Sequence, residues 1–305
     1  MISRKHLVVI VGPTAIGKSH LAIALALHYK TELISADSRQ FYKEMSIGTA
    51  KPGYDDLHKV PQHFVDFISV TEDLPAGEFA SSVDELLADF FKSNEVCIMA
   101  GGSGLFVQAV CDGLDDIPEA PEELRNRLNQ EYEQSGIDGI RQQLKDLDPE
   151  HYGVIDLQNH RRIIRALEVC LHTGKPYSSF LQKTKKQRDY GVVKVGLEMD
   201  RDKLYKKIED RVDAMMESGL EEEVRSLVQY KGNNALNTVG YKEMFEYIDG
   251  KATLEEAVGL IKRNTRRFAK RQLTWFKRDD EIKWFDPQDT VDIIDYIESK
   301  IAESS

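Results

Sequence analysis

The sequence predicts an α/β protein in which helices cover a parallel sheet, and three observations support this fold class. Strand-like apolar segments alternate with helical ones through the first hundred residues. The segment GPTAIGKS, residues 12–19, fits the phosphate-loop pattern G-x-x-x-x-G-K-[ST], with a β-branched run before it and helix formers after it. From about Pro118 a helical pattern takes over. Together these features indicate a P-loop NTPase-like parallel sheet flanked by helices, with a helical insertion domain.

The predicted elements follow from the apolar periodicity and from the turn residues. Strands are predicted at 6–12, 31–38, 63–69, 95–102 and 191–199, with helices at 18–29 and about 77–92. The helical pattern from 118 to about 182 is interrupted at Gly136, at LDPEHYG (147–153) and at HTGKPY (172–177), and helices again dominate after 199 to about 278. We therefore assign 1–117 and 189–305 to a catalytic core with C-terminal helices, and 118–188 to the helical insertion.

Composition limits the classes of protein to consider. The formal net charge is −11, and without a run of 18 apolar residues we expect no membrane span. The N-terminal residues lack the cleavage site of a signal peptide, and Cys97, Cys111 and Cys170 show no metal or redox spacing. We expect a cytoplasmic protein with these cysteines in its core. Three basic clusters, at 160–165, 183–188 and 261–278, nevertheless predict a polyanion-binding surface.

Three polar residues follow predicted strands, where parallel sheets bind ligands, so one cleft could contain all three. Lys18 and the amides of the phosphate loop would surround an anion, and the Ser19 hydroxyl can ligate magnesium. Asp37 is either part of a helix cap, in which it or Ser38 accepts a backbone N–H, or a carboxylate facing the phosphate site, as a base or a magnesium ligand; spacing alone leaves both open. Ser103, in MAGGSGLF (99–106), lies where many NTPases have an aspartate, which disfavours NTP hydrolysis, although a plain tight turn also fits.

Six segments in a fixed order carry a resemblance to a known family. They are GPTAIGKS, ISADSRQFYKEMSIGTAKP, GGSGLF, RRIIRALEV, NTVGYKEM and RRFAKRQLTWF. Over residues 7 to about 285 the chain closely resembles the bacterial tRNA dimethylallyltransferases. The resemblance implies transfer of a dimethylallyl group from dimethylallyl diphosphate to the exocyclic amine of an adenine beside the tRNA anticodon. The diphosphate leaves, with assistance from Mg²⁺, and we expect the enzyme to be a monomer.

The resemblance also implies roles for individual residues. It makes Asp37, Ser103 and Lys18 catalytic, with Ser19 and Asp37 at the magnesium. The implied diphosphate contacts are Gly12, Pro13, Thr14, Ala15, Ile16, Gly17, Lys18, Ser19 and Arg211. The implied contacts with the tRNA anticodon stem-loop are Asp37, Ser38, Arg39, Gln40, Ser103, Arg125, Arg161, Arg162, Ile163, Ile164, Arg165, Asn237, Thr238, Val239, Gly240, Tyr241, Lys242, Lys270, Arg271, Gln272 and Trp275.

The chain departs from the family pattern at two positions. The family more usually has Thr where this chain has Ser103, and Tyr where it has Phe106. The hydroxyl survives at the first position, whereas the second has lost its phenol, so we assign Phe106 no polar role.

Two other functions remain compatible with the motifs. A small-molecule or nucleotide kinase would use Asp37 as its base and the basic 262–278 segment as a lid. A non-catalytic RNA-binding protein would explain the basic clusters but not the phosphate loop. Turnover of ATP with and without RNA separates these alternatives from prenyl transfer.

Overall fold

The computed structural model of the protein describes residues 5–181 and 186–303 and divides the chain into two compact units. The core unit runs to Cys111 and resumes at Gln187, and the insertion unit is Asp112–Lys186. The insertion unit begins and ends slightly earlier in the chain than the predicted 118–188.

Within the described residues, one sheet of six parallel strands forms the centre of the core unit, as the alternating pattern predicted. The strands are β1 (His6–Val11), β2 (Leu33–Ser35), β3 (Gln62–His63), β4 (Val96–Gly101), β5 (Gly191–Leu197) and β6 (Lys283–Phe285), in the order β3-β2-β4-β1-β5-β6. Strand β1 is central and buried along its whole length, which is why its sequence is almost continuously apolar.

Helices surround the sheet and form the insertion unit. The helices before the insertion are α1 (Lys18–Tyr29), α2 (Tyr54–Lys59), α3 (Ala76–Phe90) and α4 (Gly104–Cys111). The insertion unit contains α5 (Glu122–Ser135), α6 (Ile137–Leu147), α7 (Pro149–Tyr152) and α8 (His160–Thr173). The core unit continues with α9 (Arg201–Glu217), α10 (Leu220–Ser226), α11 (Tyr241–Ile248), α12 (Leu254–Phe276) and α13 (Thr290–Glu303). Short 3₁₀ turns lie at Tyr177–Phe180, Val228–Tyr230 and Asn234–Leu236. In this described part of the chain, no helix is both long and apolar enough to cross a membrane.

Alternate residues of β1 pack on opposite faces of the sheet. Leu7 and Val9 lie in an apolar cluster with residues of α3 and α4, whereas Val8 and Ile10 lie in a second cluster with residues of α1, α9 and α13. This period of two is the geometry of a strand covered on both faces. The core unit is therefore a three-layer structure, helices on sheet on helices.

The predicted strand at 63–69 is wrong beyond its first residue. Phe64 and Asp66 have φ angles of 61° and 55°, in the left-handed region, and an extended strand cannot continue through them. The ring of Phe64 instead packs edge-on against Phe79 at a centroid distance of 5.0 Å. Phe64 and Ile68 therefore pack against the core, and the only strand-like pairing left in the described part of this segment is an isolated bridge between Ile68 and Tyr42. Strand β2 is also shorter than predicted, and β6 and α13 had no predicted counterpart.

The breaks predicted in the helical insertion are confirmed. Gly136 separates α5 from α6 with a φ of 73°, the Asp148 side chain caps α7, and Gly174 ends α8 with a φ of 68°. All three cysteines are buried, as predicted.

We expect Gly101→Ala and Gly259→Ala to change stability in opposite directions. A Cβ at Gly101 would lie 2.2 Å from the Ala36 carbonyl oxygen, and the backbone can relieve that overlap only by separating the ends of β2 and β4. A Cβ at Gly259, in α12, would meet nothing within 4 Å. The free energy of unfolding in urea should fall by about 1–3 kcal/mol or more for the first variant and rise by about 0.5–1 kcal/mol for the second. Unchanged stability in Gly101→Ala would contradict this packing.

Candidate active site

The carboxyl ends of β1, β2 and β4 meet at one edge of the sheet because the three strands are parallel neighbours. A predicted functional segment follows each of them: the phosphate loop at 12–19, residues 36–40 and the turn at 101–106. A cleft of about 680 Å³ in the core unit is lined by Thr14, Asp37, Ser103 and Arg211 among others. The structure therefore brings together the strand ends at which the sequence predicted a ligand site.

The phosphate loop makes a tight turn into α1. Ala15 and Gly17 have positive φ angles of 64° and 110°, and the second position favours a residue without a Cβ. The Lys18 ammonium donates to the Pro13 carbonyl at 2.8 Å. Burial lowers the pKa of Lys18 to about 8, although the Asp37 carboxylate opposes this shift, and the charge of Arg211 lowers it further.

The other loop residues are not equally accessible. Gly12, Pro13 and Ile16 are buried, whereas Ser19 is exposed at the start of α1. The Thr14 N–H donates to the side-chain oxygen of Gln272 at 2.8 Å. One amide predicted to bind diphosphate is thus already bonded within the protein.

Asp37 precedes a turn and not a helix, so the helix-cap alternative is wrong: the next helix in the described chain, α2, begins at Tyr54. Its Oδ1 accepts from the Arg39 N–H at 3.1 Å, and its carbonyl accepts from the Gln40 N–H at 3.0 Å, so the residue does stabilise a local turn. Its carboxylate also lines the cleft, where its charge acts on Lys18 and Arg211. The turn therefore restrains one oxygen of a carboxylate that lines the cleft.

Ser103 links the ends of β2 and β4. Its hydroxyl accepts from the Ser38 N–H at 2.9 Å and donates to the Ser38 hydroxyl at 3.0 Å. Its own N–H donates to the Ala36 carbonyl at 3.3 Å. Phe106, three residues on, packs its ring against Phe79 at 5.4 Å, in an apolar environment.

Arg211 reaches the cleft from α9. Its guanidinium donates to the Thr49 carbonyl at 3.5 Å, and burial lowers its pKa while Asp37 raises it. Gln40 also donates to the Thr49 carbonyl, at 3.4 Å, and to that of Ala50, at 3.3 Å. Arg39 is directed away from these groups, since it donates to the carbonyls of Asn234 and Ala235 at 3.2 and 3.1 Å.

Sequence reasoning did not identify Glu223, which holds the 46–48 loop at the wall of the cleft. Its carboxylate accepts from three consecutive backbone N–H groups, those of residues 46–48, at 2.9, 2.7 and 3.0 Å. It also accepts from the Tyr241 hydroxyl at 2.6 Å. No local pattern around Glu223 could have indicated this, because the loop lies about 175 residues earlier in the chain.

The segment 237–243 forms another wall of the cleft. Gly240 starts α11 with a φ of 98°, and its N–H donates to the Glu243 carboxylate at 2.8 Å, which in turn accepts from the Asn264 side chain at 2.7 Å. Only the glutamate half of a capping box is present, because Gly240 has no side chain, so the sequence pattern did not identify this carboxylate. Tyr241 is fully buried, and burial beside Glu223 raises its pKa far above the usual value. The Tyr241 side chain therefore offers nothing to tRNA in this conformation, although the resemblance implied a contact there.

Helix α12 presents basic side chains along the cleft. Arg267 and Arg271 are exposed at its edge, Lys270 is exposed on the same helix, and Trp275 completes the lining. The cleft as a whole is lined by five cationic side chains and two carboxylates: Arg39, Arg211, Lys242, Arg267 and Arg271 against Asp37 and Glu243. The site is thus positive in a chain whose net charge is negative.

The insertion unit has its own basic helix, α8. Arg161 and Arg162 are exposed at its start. Glu168 is 1% exposed and accepts from Arg125 at 2.7 and 3.0 Å and from Arg165 at 3.3 Å. The hydrogen bonds to Glu168 raise the pKa of Arg125.

Two predicted contacts in the insertion unit and part of the basic cluster at 183–188 require correction. The side chains of Ile163 and Ile164 lie in the core of the insertion unit, so they cannot face a partner. Residues 183–185 of the cluster at 183–188 lie outside the described residues. Arg188 is not an exposed cation of that cluster, because it is buried in the core unit against Asp84 and the Tyr190 hydroxyl, at 2.8 and 2.9 Å.

The fold and the cleft define a P-loop α/β protein whose cationic site suits a phosphorylated ligand. Comparison with known proteins identifies the family. A sequence profile described as IPP transferase matches residues 40–279, and the chain belongs to this family, the tRNA dimethylallyltransferases.

Similar proteins cover nearly the whole chain. A tRNA dimethylallyltransferase of Christiangramia forsetii is 51% identical, over 97% of this chain and 98% of its own. The crystal structure of a tRNA isopentenylpyrophosphate transferase from Bacillus halodurans matches with a TM-score of 0.73, 37% identity and 98% coverage of both chains. A eukaryotic dimethylallyltransferase acting on tRNA matches with a TM-score of 0.76 and 27% identity, over 89% of this chain and 70% of that one. These relatives support the transferase interpretation over the kinase alternative.

Because the pKa of Lys18 is about 8, we expect diphosphate binding to weaken as the pH rises through this value. Below the pKa the ammonium is charged and attracts the anion, and above it the charge is lost. Lys18→Arg is the matched control, since a guanidinium stays charged throughout. The wild-type affinity for inorganic diphosphate, divided by that of Lys18→Arg, should fall by up to about tenfold between pH 7 and 9. Isothermal titration calorimetry gives this ratio, and a ratio independent of pH would contradict the shift.

Proposed function

We propose that this protein transfers a dimethylallyl group from dimethylallyl diphosphate to the exocyclic amine of the adenine next to the tRNA anticodon, releasing diphosphate. One observation carries the proposal: the Asp37 carboxylate lines the same cleft as the basic side chains of α12, and its charge acts on Lys18 and Arg211 of the phosphate site. Membership of the IPP transferase family supplies the reaction class. We further propose that the enzyme acts in the cytoplasm as a monomer.

The donor would bind with its diphosphate against the phosphate loop. Lys18 and Arg211 would neutralise the negative charge that develops on the leaving oxygen as the carbon–oxygen bond breaks. The apolar side chains of the cleft, including Ile208, Val212 and Ile261, give the prenyl chain a surface that excludes water. Ser103 would donate to the leaving oxygen once its hydroxyl turns away from Ser38.

The residues around the phosphate loop are compatible with magnesium. The described residues contain no group of three or more His, Cys, Asp or Glu side chains that could hold a metal ion. A dedicated protein cage is not required, because Mg²⁺ is commonly held by one or two protein ligands, substrate phosphates and water. The exposed Ser19 hydroxyl and the Asp37 carboxylate would be such ligands. Bound there, the ion would contribute charge neutralisation of the diphosphate.

Asp37 would act on the acceptor. An adenine amine is a weak nucleophile because its lone pair is delocalised into the ring, and it becomes acidic as the new carbon–nitrogen bond forms. The Asp37 oxygen not engaged by Arg39 can accept that proton while it orients the base.

The acceptor tRNA would be bound through cations in both units. Arg161 and Arg162 of the insertion unit, and Arg267, Lys270 and Arg271 of α12, are exposed cations suited to phosphate groups. An adenine stacked in the anticodon loop must leave the stack to enter a cleft, and stacking on Trp275 or Phe268 would recover part of that cost.

A direct assay tests the proposal. The protein is incubated with labelled dimethylallyl diphosphate and unmodified tRNA, the tRNA is digested to nucleosides, and labelled alkylated adenosine is expected. Lys18→Ala should abolish labelling while the variant remains folded. RNA-stimulated ATP hydrolysis without any prenyl transfer would overturn the proposal in favour of a kinase or NTPase.

Asp37→Asn separates the roles of this residue. Asparagine can still accept from the Arg39 N–H, so the turn should survive, but basicity is lost. We expect turnover to fall by about 10²–10⁴, the usual contribution of a general base. Affinity for tRNA should change by less than about tenfold, since the asparagine oxygen can still accept from the adenine amine and only the charge of that one acceptor is lost.

The control is Asp200→Asn, which alters a carboxylate that caps α9 by accepting from the N–H groups of residues 202 and 203. This variant should keep normal turnover. Near-normal turnover in Asp37→Asn would rule out the catalytic role, and rescue by added magnesium would reassign Asp37 as a metal ligand.

Binding of tRNA should depend strongly on salt, and Arg161 and Arg162 should account for part of this. We choose Arg161→Ala/Arg162→Ala and leave Arg165 unchanged, because Arg165 bonds the buried Glu168. The slope of log affinity against log salt should become shallower by about 0.7–0.9 for each phosphate group that the variant no longer neutralises. The control, Lys92→Ala/Lys206→Ala, removes the same charge from exposed side chains, each of which pairs with an aspartate three or four residues away. Equal slopes in both double variants would show that Arg161 and Arg162 do not bind phosphate.

A further inference from the structure

Gln272 differs from its neighbours on α12 in where its side chain lies. It is 6% exposed, whereas Lys270 and Arg271 beside it are exposed. Its side-chain oxygen accepts from the Thr14 N–H at 2.8 Å, and its side-chain nitrogen donates to the Gly102 carbonyl at 2.9 Å. One amide therefore joins the phosphate loop to the turn that carries Ser103.

This bridge lies beside Lys18. A Cβ built on Gly102 would be 2.3 Å from the Gln272 nitrogen and 3.6 Å from the Lys18 ammonium. Both partners of Gln272 are backbone groups, and an unsatisfied buried backbone group is costly, so the two hydrogen bonds constrain the distance between the two loops. Thr14 and Gly102 lie 258 and 170 residues away in the chain.

We propose that Gln272 is a positioning residue for the diphosphate site: it fixes the phosphate loop relative to the Ser103 turn, and it acts without contacting the tRNA. The inference rests on the proposed function, since it concerns the same site. It differs from the role implied by the resemblance, in which residue 272 belongs to the tRNA-binding stretch. Gln272 lines the same cleft as Arg267 and Arg271, but both of its hydrogen-bonding ends are already engaged by backbone groups at the sheet edge.

The test measures binding of inorganic diphosphate in the absence of tRNA. Gln272→Met keeps the length of the side chain and removes both hydrogen bonds. Gln272→Glu keeps an acceptor for the Thr14 N–H, removes the donor to Gly102 and adds a negative charge near Lys18. The matched control is Lys270→Ala, which removes an exposed cation two residues away on the same helix.

We expect diphosphate affinity to fall about tenfold in Gln272→Met and further in Gln272→Glu, while Lys270→Ala binds diphosphate as the wild type does. In steady-state assays, the Gln272→Met variant should raise KM for the prenyl donor and leave KM for tRNA unchanged, and Lys270→Ala should do the reverse. Circular dichroism and thermal unfolding verify that each variant is folded.

Three results would overturn the inference. If folded Gln272→Met bound diphosphate with wild-type affinity, the inference would be refuted and the proposed function would stand. A change confined to KM for tRNA would have the same consequence, because it would make Gln272 a tRNA-binding residue. A wild-type protein that binds no diphosphate would refute the proposed function and this inference together.

Discussion

Lys18 and Arg211 share one carboxylate, that of Asp37, at the edge of the sheet, and the remaining features of the site depend on this imbalance of charge. Burial lowers the pKa of both cations, and Asp37 opposes the shift for both. Two cations held near a single anion leave a net positive charge in a region of reduced dielectric, where electrostatic interactions are stronger than in water. A diphosphate can compensate this charge, and a neutral substrate cannot. The parallel sheet is what makes the arrangement possible, because it directs β1, β2 and β4 to the same edge.

Polar side chains from the C-terminal part of the core unit hold the loops of the N-terminal part. Glu223 binds the amides of residues 46–48, Gln272 binds Thr14 and Gly102, and Glu243 fixes the start of α11 at the cleft wall. Buried carboxylates and amides are tolerated only when they are hydrogen-bonded, and each of these has backbone or side-chain partners. The geometry of the cleft therefore requires both parts of the core unit to be folded together. A fragment ending before α9 would keep the phosphate-loop sequence but lack these three supports.

The insertion unit uses the same device to hold two of its arginines. The buried Glu168 carboxylate holds Arg125 with two hydrogen bonds and Arg165 with a third. A paired arginine loses less conformational freedom when it meets a phosphate or a base, since its direction is already set. Arg161 and Arg162 lack such a buried partner within the described chain and remain exposed. The insertion unit thus presents two arginines whose direction is set by Glu168 and two whose side chains are exposed. Such a set suits a ligand that must be held in a defined position and also neutralised in charge.

What the sequence by itself determined is mostly local. The phosphate loop, the bounds of α1 and the breaks at Gly136 and Gly174 could be predicted because each depends on residues within a few positions. The family could be identified because several such segments occur in one order. The tertiary structure alone decided where side chains lie. The residues after His63 alternate as they would in a strand. The backbone at Phe64 nevertheless lies in the left-handed region, and the Phe64 ring packs against Phe79. Tyr241 and Gln272 belong to stretches that resemble tRNA contacts, but both point inward, and Glu223 had no local signal at all. In each case the partner lies outside the local sequence pattern. The direction of a side chain depends on which other segment of the folded chain packs against it.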